Sequence, residues 1–245
     1  MRAHRYAIYL APGEPFRQFG SRWLGRCADT GARDLAPEAD DPRRAAWTRA
    51  PAHYGLHATL KPPFRLAQGT DATMLDAAAR TFARGRPGFD APLALRALRG
   101  FVAWCLADDG EGAGDARRQM QALADGAVRA FDRFRAPATP EEIARRNPDQ
   151  LGGEQRRMLE LWGYPYVFDT FTFHVSLTGK VDGDEVADAL ALLQRLGASI
   201  LQMPLRVDGI SIYVQTEPGA DFLVGRHYGF DGGVTDGAAA AYLAS

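Results

Sequence analysis

Residues 55–64 read GLHATLKPPF, and residues 171–179 read FTFHVSLTG. In the first, Leu56, Ala58 and Leu60 alternate with His57 and Thr59; in the second, Phe173, Val175 and Leu177 alternate with His174 and Ser176. That is strand periodicity, and it turns each histidine and the hydroxyl two residues on toward one face. A single H-x-[ST] stretch says little, because β-propensity alone brings threonine into strands. Two of them, 117 residues apart in a chain with five histidines, invite comparison.

Working outward, the same series follows each motif. Each histidine strand leads through a loop to an amphipathic helix, the first closed by Gly85 and the second by Gly197, and then to LRALRGFVAW (95–104) or LRVDGISIYV (205–214). The separations are 38 residues from His57 to Leu95 and 31 from His174 to Leu205, a difference that loops absorb. An α+β fold follows: two pseudo-symmetric lobes, each a small antiparallel sheet with helices on its outer face, around a central cleft. The expectation is one bilobal domain over 1–245, with a connecting helical segment at about 115–165 and the two motifs meeting from opposite walls.

The other elements read from pattern. A first strand is expected over 6–11, ending at Pro12-Gly13, and a helix over 14–24 with Phe16, Phe19 and Trp23 on one face. Residues 25–52 carry Pro37, Pro42 and Pro51 and read as a polar surface loop. Helices are expected from Thr70-Asp71, over 115–134, after Thr139-Pro140, and over 182–197. Strands are expected over 93–106, 171–178, PLRVDGISIYVQ and DFLVGRHYGF, with a tail that frays.

Composition narrows the function. With 29 basic against 30 acidic residues, the net charge is −1, so the electrostatic grip of a general nucleic-acid binder is missing. Long nucleic acid is not expected as a partner, and a small phosphate ester is. Cys27 and Cys105 form no C-x-x-C and no disulfide framework, which suits a reducing cytoplasm. The apolar run near the N-terminus is too short for a signal peptide, and no stretch is long enough to span a membrane. The oligomeric state is not legible.

The chemistry of the pair is coherent. Two imidazoles across a cleft divide proton transfer as base and acid, near neutral pH. Thr59 and Ser176 would donate hydrogen bonds to phosphate oxygens, so the four side chains suit a tetrahedral anion. No cofactor and no metal are expected. The spacing of His53 and His57 would suit a helical zinc site, but Gly55 intervenes and the second histidine is on a strand. Thr178-Gly179-Lys180 lacks the rest of a P-loop, and Ser176 lacks a nucleophile elbow. Lys61, on the His57 face by simple alternation, is a candidate for substrate binding. Tyr6, Tyr54 and Tyr166 are candidates to line the cleft and stack on a ribose or base.

HATLKPPF and FHVSLTG resemble the paired H-x-[ST] motifs of the two-histidine phosphoesterases, among them RNA 2′,3′-cyclic phosphodiesterases and 2′-5′ RNA ligase-like proteins. RYAIYLAPG, LGRCADTG, RAFDRFRAP, ARRNPDQL, LWGYPYVFDTFTFHVSLTG and ISIYVQ extend the resemblance almost end to end, to the branch encoded in phosphonate-utilisation operons. That branch commonly has threonine where this chain has Ser176, which keeps the hydroxyl. The resemblance implies a metal-independent phosphodiesterase with His57, Thr59, His174 and Ser176 as its catalytic residues. The expected substrate is a small cyclic phosphate ester of ribose or nucleotide type, the alternatives being a non-catalytic phosphate-ester or RNA-end binder and an RNA cyclic phosphodiesterase or ligase.

Overall fold

The computed structural model describes residues 2–33, 35–36, 38 and 40–244. The strands, in chain order, are β1 (Arg5–Leu10), β2 (Ala58–Phe64), β3 (Phe89–Ala91), β4 (Leu93–Leu98), β5 (Phe101–Leu106), β6 (His174–Ser176), β7 (Leu205–Val207), β8 (Gly209–Gln215), β9 (Phe222–Gly229) and β10 (Val234–Asp236). The helices are α1 (Phe16–Leu24), α2 (Arg44–Tyr54), α3 (Ala72–Ala83), α4 (Ala113–Phe131), α5 (Pro140–Ala144), α6 (Gly153–Trp162) and α7 (Gly183–Gly197). The mixed α+β class is as expected. Eight strands form one sheet in the order β10-β9-β8-β1-β2-β6-β5-β4, and β3 pairs with β7 in a small second sheet. Every pairing is antiparallel.

The duplication is visible in this order, but not as two lobes facing each other. The two histidine strands, β2 and β6, are neighbours at the middle of the large sheet. Outward from β2 come β1 and β8; outward from β6 come β5 and β4. After β2, α3 packs on β8; after β6, α7 packs on β4 and β5. The chain then crosses: β3 and β7 pair with each other, and each leads into a strand of the opposite half. The halves therefore exchange strands and share a sheet, because the segments after α3 and α7 run across the pseudo-twofold axis. The motifs rise side by side from adjacent strands and not from opposite walls.

One face of the sheet carries the main core. Ile8, Leu10, Ala58, Leu60, Val175 and Trp104 are buried with the apolar faces of α3, α4 and α7. Asp71 starts α3 by accepting from Met74 N at 2.7 Å, as a capping aspartate should. Thr139 and Glu142 form the capping box of α5.

Two expectations fail for identifiable reasons. The supposed loop contains α2, whose Pro51 reads as a helix breaker. Proline removes the amide that would bond the carbonyl of Trp47, and Gly179 N, just beyond β6, takes that carbonyl at 2.7 Å. The tail does not fray: β10 pairs with β9, and Leu243 is buried in the core. Residues Asp34, Pro37 and Ala39 of the supposed loop lie outside the described residues.

Candidate active site

β2 and β6 meet at a single register pair, Ala58 with Val175, because β6 is three residues long and Pro62 and Pro63 remove amides further along β2. Carried one residue each way, that register sets His57 across from Ser176 and Thr59 across from His174. Diagonal neighbours in such a ladder have Cβ atoms on the order of 7 Å apart, room for a tetrahedral group between two imidazoles. Burial agrees with the face assignment: Ala58 and Val175 are buried, while His57, Thr59, His174 and Ser176 are partly exposed.

Both rings are held the same way. His57 Nδ1 donates to the carbonyl of Gly55 at 2.8 Å, and His174 Nδ1 donates to the carbonyl of Thr172 at 2.8 Å. A carbonyl only accepts, so each neutral ring carries its proton on Nδ1 and leaves Nε2 as the free base. Gly55 supplies its carbonyl from a backbone with φ 75° and ψ 174°, open to glycine alone, and a Cβ there would stand 2.6 Å from Ala28 Cβ.

The surroundings differ. Tyr9 stacks on His57, ring centroids 3.9 Å apart and 22° between planes, and Tyr54 lies at 5.9 Å. Burial pushes the His57 imidazole down to about 4, offset in part by the Gly55 bond and reinforced by the His174 charge. His174 faces Phe101 at 5.6 Å. Its imidazole is also lowered, chiefly by burial, with the Thr172 bond opposing and the Arg99 charge adding. Arg99 has φ 51° and Gly100 φ 88°, the two positive values of a two-residue hairpin between β4 and β5. Arginine is strained at the first of them.

The remaining predicted residues divide. Tyr54 joins the cluster through His57 and by stacking on Phe222 at 5.3 Å. Tyr166 sits with Arg99 over its ring at 5.1 Å and Tyr164 at 5.5 Å. Tyr6 does not join: it is 1% exposed in the main core, its hydroxyl donating to the Tyr242 carbonyl at 3.3 Å. Lys61 does not join either. Tyr9 pairs with Thr59 but Ile8 with Lys61, so Leu60 is an extra residue and the alternation breaks. Lys61 is 1% exposed and donates to Asp132 Oδ1 at 2.9 Å and to the Val128 carbonyl near the C-terminus of α4. A cation suits that end of a helix.

Tyr9, Phe101, Arg99 and Tyr164 are the residues that sequence reasoning missed. Tyr164 carries Arg146 over its ring at 4.9 Å, and burial raises its hydroxyl against the pull of Arg146 and Arg99. Tyr9 was findable, since its strand alternates Arg5, Ala7, Tyr9 on one face; Arg99 was not, because only the hairpin brings it to His174.

Two other arrangements are structural. His53 Nδ1 donates to Asp221 at 3.0 Å, so it does not converge with His57. Ser211 Oγ lies 2.6 Å from His227 Nδ1, and His227 Nε2 is bonded to Asp29. This resembles a triad, and it borders a cavity of about 670 Å³. Ser211 is 2% exposed inside a strand, directly paired with His227 on the next, so the chain is a cross-strand tie. Among the described residues, no three His, Cys, Asp or Glu side chains gather as a metal set, and no helix is long and apolar enough to cross a membrane.

The chain is 34% identical over 224 residues to a Laribacter hongkongensis protein named ribose 1,5-bisphosphate phosphokinase PhnN, covering 91% of this chain and 51% of that protein. It is 32% identical over 244 residues to a Janthinobacterium protein of the same name, covering 93% and 51%. The chain thus spans about half the length of these curated relatives. A family model described as "Protein of unknown function (DUF1045)" matches residues 59–223. The match covers more than half of the sequence, and the chain belongs to that family.

Proposed function

We propose that the protein is a metal-independent phosphodiesterase of the two-histidine type that opens a small cyclic phosphate ester of ribose type. The observation that carries the reading is the matched anchoring of His57 and His174 on adjacent strands, each with Nε2 free. His57, whose imidazole is held down to about 4, stays neutral and takes a proton from water. The water oxygen bonds to phosphorus, the bond from phosphorus to the sugar oxygen breaks, and His174 gives its proton to the departing alkoxide. The product is a phosphomonoester. Thr59 and Ser176 donate to the non-bridging oxygens as charge grows there. An anionic phosphate between the rings favours the imidazolium form of His174 that the acid role requires.

The names of the relatives support the substrate class. They concern a ribose bisphosphate, and a ribose phosphate is what this reaction would release. The phosphokinase activity in those names is not carried over, since this chain covers about half of each and carries no G-x-x-x-x-G-K-[ST]. Phosphonate utilisation is the proposed setting.

The test is a panel of ribose and nucleoside cyclic phosphates offered to the purified protein in EDTA, beside His57→Ala and His174→Ala. Turnover of at least one member, lost in both variants, is expected. Binding without turnover would replace the enzyme with a phosphate-ester binding module. Turnover that EDTA abolishes would overturn the metal-free route.

A further inference from the structure

Beside the histidine cluster, a cavity of about 260 Å³ is lined by Arg5, Arg65, Arg135, Arg145 and Arg146, with Glu142 as its one carboxylate. Tyr54 lines the same cavity, and its ring is 5.9 Å from His57. Tyr164 continues the wall toward the arginines, since Arg146 lies over its ring at 4.9 Å.

The arginines are not equally occupied. Arg65 is paired with Glu142 at 3.1 Å and Arg135 with Asp132 at 2.8 Å. Arg5 donates Nε to the neutral amide of Gln215 at 2.7 Å. Arg5, Arg145 and Arg146 form no salt bridge among the described residues, and Arg5 and Arg145 act on Glu142 and Glu141 only at longer range. Five guanidiniums around one lining carboxylate leave the cavity with an excess of positive charge, and an anion relieves it. Their planar forks suit phosphate oxygens in particular.

We propose that this cavity binds a second phosphate of the substrate, a phosphomonoester dianion, while the cyclic phosphate lies between His57 and His174. The inference rests on the two-histidine reading for the cyclic end, and on the arginines alone for the other. The substrate class is then a cyclic phosphate of a sugar that carries a further phosphomonoester. At about 260 Å³ the cavity is below the usual range for drug-sized ligands, roughly 300–1,000 Å³. It has room for a phosphate and the carbon bearing it. The segment 135–163 also gains a role, because it brings Arg135, Arg145 and Arg146 to the end of the site.

The test is calorimetric and independent of turnover. Ribose 5-phosphate and ribose are titrated into the wild-type protein, the Arg145→Ala/Arg146→Ala double variant, and the control Arg157→Ala, an exposed arginine of α6 outside the cavity. Arg145 and Arg146 are exposed, so their removal leaves the core intact. The expected result is binding of ribose 5-phosphate but not ribose, weakened at least about tenfold in the double variant alone. With cyclic substrates, the double variant should lose the KM advantage of the member that carries a phosphomonoester. No detectable binding of ribose 5-phosphate, or binding indifferent to the arginines, overturns the proposal. So does tighter binding of a dinucleotide ending in a cyclic phosphate, which would make the anion an RNA phosphodiester. If ribose 5-phosphate binds through the arginines but no cyclic phosphate turns over, the phosphodiesterase reading falls and the anion site stands.

Discussion

His57 and His174 sit in equivalent places, and their neighbours are not equivalent. Tyr9, beside Thr59, stacks on the His57 ring; the matching position beside Ser176 is Ala103, which leaves His174 to Phe101 and Arg99. Four residues past each histidine, Lys61 is buried against Asp132 while Thr178 Oγ1 accepts from Val102 N at 2.9 Å. The duplication keeps what positions the imidazoles, namely strand, face and carbonyl anchor. What was free to diverge is the surroundings, and in the proposed reaction these would divide base from acid.

The sharpest way to break the comparison is to remove each imidazole. His57→Ala and His174→Ala should each lower kcat by about 10²–10⁴, and the double variant should lose little more, since the two act in one step. Steady-state rates on a turned-over cyclic phosphate measure this, and a variant at the wild-type rate would end the claim that the halves act together. Next in size is the contrast at the fourth position. Asp132→Ala leaves the Lys61 ammonium buried and unpaired, so denaturant melts should show a loss of about 3–5 kcal/mol, and Lys61→Met should cost less.

Acid titration sharpens the His57 half. Its folded value of about 4 lies below the unfolded 6.5, so the unfolded chain binds more protons in that window. His57 therefore contributes stability that is full above 6.5 and lost as pH falls toward 4, about 3 kcal/mol at most. A His57→Gln variant should show a flatter pH dependence; an unchanged one would place the shift elsewhere. With His57 held at about 4 and His174 lowered by burial, kcat/KM should peak on the acid side of neutrality. The smallest effect concerns Arg99. Arg99→Gly relieves the positive φ and should stabilise the fold by about 1 kcal/mol. It also removes a cation that depresses His174, so the alkaline limb of kcat/KM should move up. A limb that stays put would show that Arg99 does not tune the acid.

Much of this site was legible because strand alternation needs only local sequence. His57, Thr59, His174 and Ser176 were read onto faces that the burial pattern matches. Alternation failed at Lys61 for want of one fact, the bulge at Leu60, which only the partner strand reveals. The two halves were legible as repeats, but their exchange through β3 and β7 was not, since pairing of short strands leaves no local trace. Pro51 misled because a helix interior excludes proline unless something distant takes the orphaned carbonyl.

That distant partner gives the helix a kinetic meaning. The bond from Gly179 N to the Trp47 carbonyl joins segments more than 130 residues apart, where an ordinary helix would have closed the bond locally. It ties the turn that ends in Gly55 to the strand that carries His174. This end of α2 should therefore complete itself only when β6 arrives, which would raise contact order and delay its protection. In native-state hydrogen exchange, the Gly179 amide should open together with the carboxyl-terminal turn of α2. Loosening either histidine should then loosen the other, and the pair should open as one cooperative unit.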